Sequence, residues 1–390
     1  MTLIAHIADT HLGYRQYGLY ERERDLYKVM DEIREKILSE HVKLVLHCGD
    51  FFHSYHPPLA ALKVTKNFLR NLHRKGIKIY AIPGDHDFPK RRALLPHRLF
   101  DEYVKTLGVG IDALVDRVEI DGKTLTIAGA RRYSLVYKDT LLKVLDIIKA
   151  KTSGDKDKIL MLHQAVYPFL GYERACELHE GNLPKGFLYY AMGHIHQPAK
   201  KRLSDGSIIA YPGSTEIIDK REIEDYEKGK KGFYLVDISG DVPEIHRVKL
   251  ESIRPQLRRD VLYTQLEQQL LTISKEISER YSSKPIIHFR VSGRKMNREH
   301  VMSAIMGILN DKILHYRIEY VDLDVKRILK TEEVKVSLLD IKSLMREELS
   351  DPKLAEFAYE LYTLLARGGK ANIEAAKMKA KHFLERGEWK

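Results

Sequence analysis

Five stretches of the chain end a run of aliphatic or β-branched residues on side chains that can hold a cation or move a proton. Leu3 to Ala8 runs into Asp9-Thr10-His11-Leu12-Gly13, and the run Val42 to Leu46 stops at Gly49-Asp50, with His53 and His56 just beyond. Ile77 to Ile82 runs into Pro83-Gly84-Asp85-His86-Asp87, Ile159 to Leu162 delivers His163, and Tyr189 to Met192 delivers Gly193-His194-Ile195-His196. Each has a bland alternative taken singly. Gly-Asp at a strand end is commonly a turn, Asp9-x-His11 can be an Asx turn beside a surface histidine, and a lone histidine can be structural. Repetition shifts the balance, because the five ends together supply the mixed carboxylate and imidazole donors that a pair of Mn²⁺, Fe or Zn ions prefers. His194 and His196 alternate on an extended segment and so share one face.

The elements that must position these groups follow from the same pattern. Short apolar runs that stop abruptly read as buried strands, and in open α/β sheets ligands bind beyond the carboxyl ends of the strands. Helices are expected over 21–40, over 59–74 with an apolar stripe through Leu62, Val64, Phe68, Leu69 and Leu72, and over 93–107. Further strands are expected at 124–128, 208–211 and 232–237. Tyr14-Arg15-Gln16-Tyr17 mixes aromatic and basic residues, which suits a phosphodiester strand or a solvated loop equally. Lys90-Arg91-Arg92 is a solvated face or a grip on a nucleic-acid backbone.

From about 245 to 330 an alternation of strands and helices describes a small α/β unit without a ligand cluster of its own. Residues 323–336 read as a charged linker. Residues 337–390 are helical: Asp351-Pro352 opens a helix with a stripe through Leu354, Phe357, Ala358, Leu361, Leu364 and Leu365, Arg367-Gly368-Gly369 ends it, and another helix covers 371–386. So short a helical segment needs another surface for its apolar stripe, either the body of the chain or a partner protein.

With 390 residues the chain has room for two or three domains. A run of 18 apolar residues and a basic-then-apolar leader are both lacking, and a cytosolic location is expected. Cys48 and Cys176 are too few for a disulfide framework. A net charge of +11 favours polyanionic partners. Six Asn and seven Gln against 66 Lys and Arg is a skew of heat-loving organisms.

On the motifs Asp9-x-His11, Gly49-Asp50, Gly84-Asp85-His86, His163 and Gly193-His194-x-His196, the chain resembles the calcineurin-like metallophosphoesterases. Within them it looks like an archaeal member of the meiotic recombination 11 and SbcD nucleases, which repair DNA double-strand breaks. The resemblance implies a four-layer αββα sandwich over 1–240, a small α/β capping, DNA-binding domain over 245–330 and a partner-binding helical segment over 337–390. It also implies two Mn²⁺ ions, with Fe, Zn or Mg as other occupants. Asp9, His11 and His196 would hold one ion, Asp85, His163 and His194 the other, and Asp50 would bridge them. His86 would stabilise the transition state or protonate the leaving oxygen, and His53 would position the scissile phosphate. The implied activities are exonuclease action on duplex ends and endonuclease action on single strands or hairpins. The implied partners are DNA, a coiled-coil ABC-type ATPase of the SbcC kind bound through 337–390, and a second copy paired through helices 59–74 and 93–107, in a cytoplasmic, nucleoid-associated setting. DNA-end tethering with secondary cleavage, and a phosphatase on the same fold, are the alternatives. The family usually has Gly-Asn-His at the third motif, where this chain has Asp85.

Overall fold

The computed structural model describes residues 2–89, 93–240, 242–323, 342, 345–346, 349, 351–366 and 370–385. The Lys90–Arg92 triplet, the 323–336 linker beyond its first residue, most of the 337–349 helix and the Arg367–Gly369 stop lie outside them. Aliphatic runs with little polar interruption become strands buried on both faces. β1 (Leu3–Ile7), β2 (Leu44–Cys48), β3 (Lys78–Ile82) and the short β4 (Lys105–Thr106) run parallel in one sheet. β5 (Val115–Ile120), β6 (Lys123–Ala130), β7 (Lys158–His163), β8 (Val166–Tyr167), β9 (Leu178–His179), β10 (Tyr189–Gly193), β11 (Ala199–Arg202) and β12 (Ile208–Tyr211) follow. β13 (Gly232–Asp237) and β14 (Glu244–Lys249) return to the first sheet, whose order is β14-β13-β1-β2-β3-β4. The second sheet has the order β11-β12-β10-β7-β6-β5, parallel from β12 to β6 with antiparallel edges.

The two sheets face each other across a core of Ile4, Leu44, Leu46, Tyr80 and Ile82 from one and Leu125, Ile127, Ile159, Met161 and Tyr189 from the other. Helices α1 (Tyr20–Ser39) and α2 (Leu59–Arg74) bury Leu26, Val29, Ile33, Phe68, Leu69 and Leu72 outside the first sheet. α3 (Lys138–Lys151) buries Leu141, Leu145 and Ile148 outside the second. The result is the four-layer αββα sandwich.

The helix expected over 93–107 does not form. Pro96 opens a 3-10 turn, Pro96–Phe100, and Lys105–Thr106 pairs with β3 instead. Pro96 removes a helical donor within the stretch, and β-branched Val104 and Thr106 favour extended backbone.

Helix α4 (Ile223–Glu227) precedes β13, and after β14 strands and helices alternate: β15 (Gln256–Leu262), α5 (Leu266–Arg280), β16 (Ile286–Gly293), α6 (Arg298–Leu309) and β17 (His315–Asp322), with sheet order β15-β16-β17. Two compact units are distinguished. The larger takes Met1–Asp260, Glu267–Arg290 and Ala304–Glu319, and the smaller takes Val261–Leu266, Val291–Ser303 and Tyr320–Lys390. Within the larger, Asp25 on α1 pairs with Arg22 at 2.8 Å and with Arg254 at 2.6 and 2.8 Å, tying α1 to the segment after β14. Within the smaller, α7 (Pro352–Ala366) and α8 (Lys370–Glu385) pair through Phe357 stacked on Phe383. No described helix is long and apolar enough to cross a membrane.

Candidate metal centre

The carboxyl ends of β1, β2 and β3 from the first sheet and of β7 and β10 from the second meet at one place. Loops after β1 and β2 zip together: Asp9 N–H donates to Gly49 O at 3.0 Å, His11 N–H to Asp50 O at 3.0 Å and Leu12 N–H to Phe51 O at 2.9 Å. Asp87 ties the third loop to the second, its carboxylate accepting the N–H groups of Phe51 and Gly84 at 2.6 Å each. Asp9, His11, Asp50 and His194 adopt left-handed backbone, with φ of 54°, 46°, 52° and 87°. Such conformers cost about 1–3 kcal/mol each and persist where the surroundings impose them, typically at functional sites.

All seven expected ligands are brought together. Donor atoms of Asp9, His11 and His196 lie within 4.8 Å of one another, as do those of Asp85, His163 and His194, and those of Asp9, Asp50 and His163. Asp50 lies between the first two groups, Oδ2 being 3.8 Å from His11 Nε2 and 3.3 Å from His163 Nε2. His53 and His86 join His11 in a further group, and they stack on each other at 4.8 Å. His86 N–H donates to Asp50 Oδ1 at 2.9 Å, and the His86 ring Nδ1 lies 3.0 Å from the His53 carbonyl. Close approach requires glycine here: a Cβ on Gly49 would sit 2.1 Å from His163 Nδ1, and one on Gly84 2.1 Å from Asp50 Oδ1.

The donor set fits divalent cations. His163 Nε2 is fully buried and has no hydrogen-bond partner among the described residues, while its Nδ1 donates to Cys48 O at 2.7 Å. That second bond aims Nε2 at the carboxylates, Asp50 Oδ2 lying 3.3 Å away. His196 is set likewise: Nδ1 faces Glu222 Oε1 at 2.7 Å, leaving Nε2 on the cluster side, 3.8 Å from Asp9 Oδ1. Buried Glu222 also receives Ser214 Oγ–H at 2.6 Å and the Lys231 ammonium; against the opposing effect of burial, Lys231 and His196 hold its carboxyl below the usual range.

Two buried carboxylates, Asp9 and Asp50, call for positive charge. Burial raises the Asp9 carboxyl to about 6, opposed by His163 and His196. Burial lowers the His163 pKa, but the Asp50 and Asp9 carboxylates outweigh it and raise the ring to about 10. At pH 7.5, below that value, the metal-free protein holds a proton on His163, and an ion taking its Nε2 lone pair must displace it. Mn²⁺ binding at pH 7.5 is therefore expected to release about one proton, with affinity rising about tenfold per pH unit from 7 to 9. Calorimetry in buffers of different ionisation heat checks this; identical heats in all buffers would contradict it.

Sequence reasoning misses Glu222, Asp87's clamp and Arg132, which lies 2.9 Å from Asp85. Asp219 and Glu222 form a capping box, a legible signal for a turn but not for a buried partner of a histidine 26 residues away.

Residues 2–198 match the calcineurin-like phosphoesterase family. The chain is 37% identical over 324 residues to the DNA double-strand break repair protein Mre11 of Saccharolobus solfataricus, covering 82% of each chain. It is 35% identical to the protein of that name from Sulfolobus acidocaldarius, covering 89% of each, and 36% identical to that from Methanocaldococcus jannaschii, covering 88% of each. The chain thus belongs to the calcineurin-like phosphoesterases and, within them, to the family of the archaeal Mre11 proteins.

Proposed function

We propose that the chain is a Mn²⁺-dependent DNA nuclease of double-strand break repair, a double-strand exonuclease and a single-strand and hairpin endonuclease. The observation that carries this reading is the convergence of Asp9, His11, Asp50, Asp85, His163, His194 and His196 in groups within 4.8 Å. Asp9, His11 and His196 would hold one ion, Asp85, His163 and His194 the other, and Asp50 would be shared between them. Divalent ions so held supply an activated water and neutralise charge on a phosphodiester. His86 Nδ1 donates to the His53 carbonyl at 3.0 Å, which leaves Nε2 as the ring nitrogen that, in the imidazolium form, would hand a proton to the leaving oxygen. His53, stacked on Tyr14 at 3.9 Å, is steadied to contact the scissile phosphate. A Mn²⁺ titration of cleavage on blunt, hairpin and single-stranded DNA tests the reading; activity without divalent metal, or on phosphomonoesters alone, would overturn it.

A polymeric substrate is favoured over a small phosphoester by a cleft of about 750 Å³ that begins at Tyr14 and Tyr17. Lys220, Arg258, Arg259, Arg290 and Arg317 line it, against Asp219, Asp260 and Glu319. Burial and the neighbouring Arg258, Lys220 and Arg317 hold His288 neutral, with a pKa of about 4. Replacing both Arg258 and Arg317 by alanine is expected to weaken DNA binding about tenfold at low salt and to lower the slope of log K against log [salt] by about 1.5 to 2, with kcat at saturating substrate unchanged. Fluorescence anisotropy over a salt series checks it, and an unchanged slope would contradict it.

The paired helices α7 and α8 expose Leu365, Ile373 and Met378, which supports docking of a coiled-coil ABC-type ATPase of the SbcC kind on 337–390. A second copy would pair through α2, which exposes Leu59. A cytoplasmic, nucleoid-associated setting goes with this role.

A further inference from the structure

Asp9 and Asp50 are immobilised by burial and by backbone donors: His194 N–H lies 3.1 Å from Asp9 Oδ2, and His86 N–H lies 2.9 Å from Asp50 Oδ1. Their side chains are 0% and 3% exposed, whereas that of Asp85 is 41% exposed on the loop after β3. Asp85 is steadied differently. Its Oδ2, which lies 3.4 Å from His194 Nδ1 and so faces the cluster, accepts Arg132 Nε–H at 2.9 Å.

Arg132 is itself held on every side. Nη2 lies 2.8 Å from Glu177 Oε1, Nη1 donates to Gln164 Oε1 at 2.8 Å and to the Tyr133 carbonyl, and the Arg132 backbone N–H donates to Pro83 O at 3.1 Å. Glu177 is buried and its other oxygen accepts Ala165 N–H at 2.9 Å. Gln164 and Ala165 directly follow His163. One guanidinium thus joins the Asp85 loop to the segment that carries His163, and a planar fork can serve these acceptors at once where an ammonium cannot.

We infer that Arg132 is a positioning residue that holds the Asp85 carboxylate in register with His163 and His194 for one ion, an inference that rests on the metal reading above. Glu177 offsets part of the charge of Arg132, whose remaining field adds to burial in disfavouring a proton on His194 and so keeps that ring available as a ligand. Its influence falls on the ion of Asp85, His163 and His194, while the ion of Asp9, His11 and His196 is left alone.

The test is a Mn²⁺ titration of the full chain by calorimetry and electron paramagnetic resonance, in the wild type and in Arg132→Lys, Glu177→Gln, Asp85→Ala and Arg132→Lys/Asp85→Ala. Arg132→Lys keeps the charge and loses the fork. It is expected to weaken one site about 10- to 100-fold and to leave the other within about threefold. Glu177→Gln, which loosens the anchor and retains Arg132, is expected to act in the same sense and less strongly. In the Asp85→Ala background Arg132→Lys is expected to change affinity less than about twofold. Full affinity at both sites in Arg132→Lys and Glu177→Gln, or an equal loss in the Asp85→Ala background, would overturn the inference while leaving the metal reading intact. Full affinity in Asp85→Ala would instead remove Asp85 from the ligands, and the inference with it.

Discussion

Asp50→Asn is expected to lower phosphodiester cleavage about 10³-fold or more and to cost the chain part of its Mn²⁺ stoichiometry. Asp50 is the group whose carboxylate stands between the two sets of donors, 3.8 Å from His11 and 3.3 Å from His163. Losing one shared negative charge removes several kcal/mol of stabilisation from the assembled site, and about 4 kcal/mol corresponds to three powers of ten in rate. Asparagine is the informative replacement, because φ at Asp50 is 52° and asparagine tolerates that region where alanine is strained. Its amide oxygen can still accept His86 N–H, so the second and third loops stay joined. Cleavage within tenfold of wild type, in a variant that circular dichroism shows to be folded, would remove Asp50 from the bridging role.

His86→Gln is expected to act on chemistry alone, lowering kcat by about 10² to 10⁴ while Mn²⁺ affinity and DNA affinity stay within about threefold. The His86 side chain is exposed, and its contacts are the His53 carbonyl at 3.0 Å and the faces and edges of the His53 and His11 rings at 4.8 Å. Little packing is lost with it. The nearby group of His11, His53 and His86 also has donor atoms within 4.8 Å of one another, which gives the experiment a second outcome to watch. If His86→Gln reduces Mn²⁺ binding as much as it reduces cleavage, His86 is a ligand and the proton donor must be sought elsewhere.

These two residues also show how much of the site is legible in the chain. Asp50 and His86 stand at the ends of runs such as Leu44–Cys48 and Lys78–Ile82, where an apolar strand stops at glycine, and strand ends of one open sheet meet by topology. Local pattern suffices for them. Glu222, Glu177 and Arg132 have no such signal, because their meaning lies in partners such as His196 and Asp85 that only the tertiary fold brings near. Elements fail for related reasons. The 93–107 stretch has enough leucine to suggest a helix, yet one proline and a free edge beside β3 decide for a turn and a strand. Edge strand β11, Ala-Lys-Lys-Arg, has no apolar pattern and is made by pairing with β12.

Anomalous diffraction from Mn²⁺-soaked crystals tests most directly whether Asp9, His11, Asp50, Asp85, His163, His194 and His196 cage a pair of divalent ions. The expected result is two manganese peaks about 4 Å apart with Asp50 between them, one beside Asp9, His11 and His196 and the other beside Asp85, His163 and His194. A single peak, or peaks lying away from these groups at saturating Mn²⁺, would contradict it.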